Sequence, residues 1–296
     1  MPQLGALKER TPRTALDLAN WTTRRWGLAT AAQRGLPDFL VIGTKRGGTT
    51  SLFNYLLMHP GVLGLFPQVR GRKSTDYFFK NLHLGEAWYR SHFHTDGHRA
   101  RVADRLGYAP VSGEASPYYM WDRRVAERVA SVVPQVKAIA LVRDPVERAW
   151  SHYQERIQNG VEPLSFVDAL ASEHRRTAAA EARMRQEPTF HSDAFDWYPY
   201  RERGVYLPQL LNWTRSFPRE QLLVIRSEDM YADVQSVFDT ACDFLGLPRI
   251  DLPTKKTFNA SARAPMPDSV RAELSEFYRQ PNAELESYLG RPLIWS

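Results

Sequence analysis

The sequence has almost no cysteine. Cys242 stands alone among 296 residues. One thiol can form neither an internal disulfide nor a cysteine-rich zinc site, and a reducing compartment is its natural setting. A cytoplasmic location is expected on that ground. Long apolar runs are also missing. No stretch approaches the roughly 18 apolar residues of a membrane span, and the N-terminus has no continuous apolar segment of the secretory kind. Glycine (17) and proline (20) occur without a period, which excludes collagen-like and low-complexity chains. Charge of one sign does not dominate either. Lys and Arg number 39 against 33 Asp and Glu, a net charge of +6. The basic residues come as scattered pairs, such as Arg24-Arg25 and Arg123-Arg124. A nucleic-acid footprint is normally clustered, so no nucleic-acid partner is expected. A small anionic ligand, an anionic acceptor or a membrane surface suits the modest excess.

What is present is ordinary for a folded protein: 43% hydrophobic and 24% charged residues. Residues 1–36 read as a basic arm, carrying Arg24, Arg25 and Arg34 beside Trp21 and Trp26. Its tryptophans are expected to dock on the body; an amphipathic helix making peripheral membrane contact is the alternative. Residues 37–296 read as one α/β unit. Apolar runs at 39–42, 111–115, 137–142 and 222–225 predict buried parallel strands. Helical patterns follow them at 49–58, 122–133, 146–158 and 234–245, with a last helix over 268–288. Alternation of this kind predicts a central parallel sheet flanked by helices, a P-loop-like domain. A stretch at about 160–200 breaks the pattern with a charged helix and an aromatic cluster (Phe190, Phe195, Trp197, Tyr198, Tyr200). It reads equally as a lid or binding wall and as a surface hairpin packed by its own aromatics.

Two segments carry chemistry. Gly43-Thr44-Lys45-Arg46-Gly47-Gly48-Thr49-Thr50 joins the first strand to the first helix. Glycines let such a loop turn its N–H groups inward, and the helix N-terminus, Lys45, Arg46 and the threonine hydroxyls complete an anion cradle. Gly43 and Gly48 have the spacing of a nucleoside-triphosphate loop, but Thr49 stands where that loop needs lysine. The second segment, Arg143-Asp144-Pro145 through Ser151, follows the third strand. Arg143 falls at a strand C-terminus, where α/β sheets bind ligands, and Ser151 on the next helix can share an anion with it.

Together these segments resemble the sulfotransferases that use 3′-phosphoadenosine 5′-phosphosulfate (PAPS), above all the heparan-sulfate-type and bacterial carbohydrate enzymes. Met58-His59-Pro60, Tyr77-Phe78-Phe79 and Gly113-Glu114-Ala115-Ser116-Pro117-Tyr118-Tyr119 agree with that family, and the likeness spans about 37–296. The resemblance implies PAPS as sulfuryl donor and a small-molecule or glycan acceptor, with no metal in the transfer. It implies that Gly47, Gly48, Thr49 and Thr50 bind the 5′-phosphosulfate and that Arg143 and Ser151 bind the 3′-phosphate. Arg46 matches the family's catalytic basic residue, commonly lysine, and Lys45 beside it shares the role. Arg263 falls where the family has a late basic loop over the cofactor. The family's acceptor base, a Glu before an aromatic pair, is missing: that position holds Ser74 or Thr75. Asp76 is the leading substitute and Glu114 the second, and Lys73 is placed to stabilise the leaving group or the sulfuryl oxygens. His83, His92, His94 and His98 lack metal-binding spacing, so no metal site is expected there. A P-loop kinase and a non-catalytic nucleotide-binding homologue are the alternatives. The oligomeric state is open.

Overall fold

The apolar runs form one sheet and the periodic segments cover it, in a computed structural model that describes residues 13–67, 72–254 and 265–295. The elements in chain order are α1 (Arg13–Ala29), β1 (Phe39–Gly43), α2 (Thr49–Leu56), β2 (Val62–Leu63), a π-helical turn (Tyr77–Asn81), α3 (Gly85–Arg90), α4 (Asp96–Leu106) and β3 (Val111–Ala115). They continue with α5 (Val125–Val132), β4 (Lys137–Val142), α6 (Pro145–Gln158), α7 (Phe166–Gln186), α8 (Asp193–Trp197) and α9 (Leu207–Ser216). The chain then runs through β5 (Leu222–Arg226), α10 (Ser227–Ala232), α11 (Val234–Leu245) and α12 (Asp268–Leu289).

The sheet has the order β2-β3-β1-β4-β5, and all four pairings are parallel. Alternate residues of a strand face opposite layers. Phe39 and Val41 of β1 pack with Leu52, Phe53 and Leu56 of α2 and with Phe238 of α11. Leu40 and Ile42 pack on the other face with Val129 of α5 and Trp213 of α9. Residues 39–42 are all completely buried, which explains why β1 reads as a continuous apolar run rather than an alternating one. The chain leaves β1 toward β2 and β3 on one side and reaches β4 and β5 on the other. The crevice outside the C-terminal ends of β1 and β4 is therefore the switch point where open α/β sheets place ligands. Both chemistry-bearing loops leave the sheet there.

The strand expectations hold, with β2 in addition: two residues are too short to show a pattern. Helix bounds differ by a few residues. At α6 the start is fixed by Asp144, whose side chain accepts from the backbone N–H of Val146 (2.8 Å) and Glu147 (3.4 Å), with Pro145 in the first turn.

The 160–200 stretch packs on the body rather than only on itself. Tyr200 is buried against His152 and Tyr153 of α6 and Phe166 of α7. α1 also docks: Arg24 donates to the carbonyls of Ser91 (2.7 Å) and Phe66 (2.6 Å), and Trp26 meets the Phe66 ring edge-on. Leu18, Trp21, Trp26 and Leu28 remain exposed on it. Among the described residues no helix is long and apolar enough to cross a membrane.

Candidate active site

The loop after β1 is held from three sides. The Thr44 N–H donates to the Leu141 carbonyl (2.8 Å), Gly47 N–H to the Thr44 carbonyl (2.9 Å), and the buried Ser227 hydroxyl donates to the carbonyls of Gly47 (2.7 Å) and Val142 (3.0 Å). Two glycines are required by this path. A Cβ on Gly47 would lie 2.8 Å from Thr44 Cγ2, and Gly48 has φ +88°, the left-handed region that side chains disfavour. Arg46 also has a positive φ, 67°. A non-glycine residue there stores about 1–3 kcal/mol of backbone strain, a feature concentrated at ligand-binding loops.

The two loops meet. Arg46 Nε donates to Ser151 Oγ (2.9 Å), and Arg143 donates to the Arg46 carbonyl (3.1 Å). The cavity between them has a volume of about 290 Å³ and is lined by Lys45, Arg46, Gly48, Thr49, Thr50, Lys73 and Arg143, among others. Four of its lining side chains are cationic and one, Glu155, is a carboxylate. That surplus fits a multiply charged anion such as a phosphosulfate with a second phosphate.

The two lysines are held by different partners. Lys45 Nζ lies 3.1 Å from Glu155 Oε2 and 3.1 Å from the Tyr118 hydroxyl. Burial pulls its pKa down to about 7 even though Glu155 opposes the shift. Lys73 Nζ donates to the hydroxyls of Thr50 (2.7 Å) and Thr49 (3.2 Å), and burial lowers its pKa to about 8 against the opposing effect of Asp76.

The two carboxylates weighed as base lie in unlike places. Asp76 is half-buried, with φ 55°, and its Oδ1 accepts from Ser74 Oγ (2.5 Å) and Ser116 Oγ (3.2 Å). It sits beside the cavity rather than on its wall, in a loop that brings Lys73 onto the wall. Glu114 is fully buried in β3, where Oε2 accepts from the Thr75 N–H (2.5 Å) and Oε1 from the Tyr89 (3.0 Å) and Tyr119 (2.8 Å) hydroxyls. Burial raises its pKa to about 7, opposed by the Thr75 N–H. Arg263 lies outside the described residues.

Sequence alone gives no site role to Tyr118, Glu155, Ser227 or Tyr231, which wall or brace this site. Ser227 and Tyr231 follow β5 at its C-terminal end, the general location of ligand sites in such sheets, so that rule was the available signal. A further grouping lies apart from the histidines at 83–98: His191 Nε2 is 3.5 Å from Asp193 Oδ1 and 3.2 Å from Asp196 Oδ2.

The family model described as "Sulfotransferase domain" matches residues 36–279. The chain belongs to the sulfotransferase family. A solved sulfotransferase from Alicyclobacillus acidocaldarius shares the fold with a TM-score of 0.63 and 28% identity, over 87% of this chain and 97% of that one. The chain is 29% identical to the human "Bifunctional heparan sulfate N-deacetylase/N-sulfotransferase 3", over 87% of itself and 31% of that protein. It is 26% identical to the "Membrane-associated sulfotransferase kil1" of Dictyostelium discoideum, over 88% of itself and 66% of that protein. It thus spans about a third and about two thirds of the length of these two relatives.

For a sulfotransferase with these two lysines, a pH dependence follows. A lysine attracts an anion only while protonated, and Lys45 and Lys73 lose their protons near pH 7 and 8 in the empty site. A bound anion favours the charged form and raises both pKa values. Affinity for adenosine 3′,5′-bisphosphate is therefore expected to be highest below about pH 7 and to decline as pH rises through 8, with protons taken up on binding. Calorimetry at pH 8 in buffers of different ionisation enthalpy reads that uptake. A flat affinity from pH 6 to 9 with no uptake would overturn the assignment.

Proposed function

We propose that this sulfotransferase moves a sulfuryl group from PAPS to a hydroxyl or amine of a carbohydrate-bearing acceptor. Residues 37–296 are the transferase unit, and 1–36 are a basic arm that precedes it in the chain. The observation that carries the reading is the cavity at the ends of β1 and β4, where Lys45, Arg46, Lys73 and Arg143 face a single carboxylate. Heparan sulfate in the name of a relative supports a carbohydrate acceptor.

The donor supplies the sulfuryl group, whose bond to a phosphate oxygen breaks as a bond to the acceptor oxygen or nitrogen forms. The chain's own residues do the rest. Gly48, Thr49 and Thr50 present backbone and hydroxyl donors at the start of α2 to the 5′-side anion, and Gly47, whose N–H goes to the Thr44 carbonyl, shapes the turn that aims them. Arg143 and Ser151 take the 3′-phosphate. Arg46, joined to Ser151, stands between the two anionic groups. Lys45 and Lys73 place positive charge where it builds up during transfer, in a site partly closed to water. Asp76 accepts the acceptor's proton, with Ser74 and Ser116 orienting its carboxylate. Glu114 has its oxygens engaged in the core and positions the Thr75 backbone next to that base.

Thermal unfolding with adenosine 3′,5′-bisphosphate, and in parallel with MgATP, tests the donor. A ligand that binds only the folded state stabilises it by about 2.7 kcal/mol at 100 times Kd. A clear rise in Tm with the bisphosphate is expected. A rise with MgATP alone would put a P-loop kinase in place of this reading. Bisphosphate binding with no transfer to any glycoside or amino sugar would favour a non-catalytic homologue.

The exposed Leu18, Trp21, Trp26 and Leu28 of α1 support peripheral membrane contact through the arm, as does the membrane-associated relative. Sedimentation with anionic liposomes is expected to carry down the full chain and to lose it in Trp21→Ser/Leu18→Ser. Equal sedimentation of both proteins would refute the contact.

A further inference from the structure

Residues 191–196, between α7 and α9, hold a histidine and two aspartates around one point. His191 Nε2 lies 3.2 Å from Asp196 Oδ2 and 3.5 Å from Asp193 Oδ1, and one ligand atom from each residue falls within 4.8 Å of the other two. The local chain explains the grouping. Ser192 caps α8 by accepting from the Phe195 N–H (3.4 Å). Asp193 and Asp196 are then three apart on one face of the turn, with His191 just outside it. The turn is fastened to the body. Trp121 Nε1 donates to the Phe195 carbonyl (3.2 Å), and the buried Arg203 donates to the carbonyls of Phe195 (3.4 Å) and Asp196 (3.1 Å).

Two of the three groups lack the partners that burial calls for. Asp196 is 5% exposed. Arg203 gives its donors to main-chain carbonyls, and among the described residues no Lys or Arg stands within ion-pair distance of the Asp196 carboxylate. A buried carboxylate is normally paired with a cation or bound to a metal. His191 Nε2 is buried as well, yet it makes no hydrogen bond to either oxygen. An imidazolium holding the aspartates as an ion pair would aim its N–H at one of them. At 3.2 Å, Asp196 Oδ2 is close enough for that bond, so it lies to the side of the N–H direction. Such an offset is what ligands arranged about a shared centre show. Metal bonds of about 2.0–2.2 Å to nitrogen and oxygen, at tetrahedral angles, set the donor atoms roughly 3.3–3.5 Å apart. The two separations from His191 are 3.2 and 3.5 Å. Charge around the group is mixed. Asp122 adds negative charge beside His191 and Asp196, though Arg124 holds its own oxygens, and Lys80 opposes it at the histidine.

We propose that His191, Asp193 and Asp196 bind one divalent transition-metal ion, zinc being the best match, and that the ion is structural. Imidazole suits zinc and its neighbours in the first row, whereas magnesium and calcium take oxygen sets. Three protein ligands leave a fourth position for water. The His191 ring packs edge-on against Phe79 (5.4 Å), and Phe79 stacks on Tyr118 (5.0 Å), which walls the anion site. The ion therefore fixes residues 191–196 where they meet that wall. It takes no part in sulfuryl transfer, so the proposal goes beyond that reaction and does not depend on it.

The test titrates the metal-stripped, untagged full chain with Co²⁺, read by visible absorbance, and then displaces the cobalt with Zn²⁺. One equivalent is expected to bind, with the strong visible bands of low-coordinate cobalt, and Zn²⁺ is expected to raise Tm. His191→Ala and Asp193→Asn should each weaken zinc by at least the roughly 10–100-fold that loss of an outer-shell partner costs. Neither residue is fully buried, so the fold should survive both changes, and circular dichroism of the metal-free proteins checks that. His83→Ala, at an exposed histidine outside the group, should bind as the parent does. Zinc affinity unchanged in the two variants, or lost equally in His83→Ala, would place the ion elsewhere and overturn the proposal. A parent protein that binds zinc no tighter than about 0.1 mM would overturn it too.

Discussion

Asp76→Asn is expected to lower kcat for sulfuryl transfer by about 10²–10⁴-fold, the range general-base removal usually costs. The substitution is chosen for its fit to the backbone. Residue 76 has φ 55°, and Asn is among the few residues that adopt the left-handed region readily. The Asn carbonyl oxygen can also go on accepting from Ser74 and Ser116, which now bond Oδ1 of the aspartate. Shape, orientation and strain are retained while the basic oxygen is lost. Binding of adenosine 3′,5′-bisphosphate should therefore stay within about twofold, because Asp76 is not on the wall of the anion cavity. Single-turnover rates and equilibrium binding, measured side by side, separate the two effects. A kcat within about threefold of the parent would remove Asp76 from the mechanism. Loss of binding together with rate would make it a support for Lys73 instead.

Arg143→Ala is expected to weaken adenosine 3′,5′-bisphosphate by about 10²–10³-fold. A hydrogen bond to a charged group contributes about 1.5–3 kcal/mol, and a guanidinium can make two to one phosphate. Arg143 is 9% exposed, and its guanidinium donates to the carbonyl of Arg46. Its loss therefore removes a ligand and loosens the neighbouring loop together. Comparing adenosine 3′,5′-bisphosphate with adenosine 5′-phosphate isolates the first effect. The variant should discriminate poorly between them, since the 3′-phosphate is the group that Arg143 and Ser151 are assigned to hold. A variant that loses affinity for both nucleotides equally would show that Arg143 acts through the loop and not on the 3′-phosphate.

The strands and the two chemistry-bearing loops were legible because their signals are local. Residues 39–42 and 137–142 are continuous apolar runs since helices cover both faces of the sheet. Pro145 after Asp144 marks a helix start without reference to anything distant. The glycines at 47 and 48 announce a backbone path that a side chain obstructs. The rest depends on contacts between residues far apart in the chain. Ser227 clamps a loop 180 residues away, and Glu155 pairs with Lys45 across two elements. No spacing rule reports such pairs. Glu114 and Asp76 show the limit most clearly. Both are acidic, and each lies within a few residues of an aromatic pair that follows it. Only the packing of Tyr89 and Tyr119 around one of them, and hydroxyls beside an open cavity around the other, tells them apart.

By itself the sequence determined a parallel α/β sheet, a glycine-rich basic loop at the end of its first strand, and a second cationic segment at the end of another. Periodicity, glycine placement and charge act within a few residues, so they survive in one dimension. Tertiary structure decided that β1 and β4 lie side by side, which brings Arg46 within hydrogen-bonding distance of Ser151. It also decided that burial brings Lys45 and Lys73 toward neutral pH, and that a second, larger cavity lies between α5, α7 and α9. Those properties come from desolvation and from which groups find partners, and both are set by the whole packed chain.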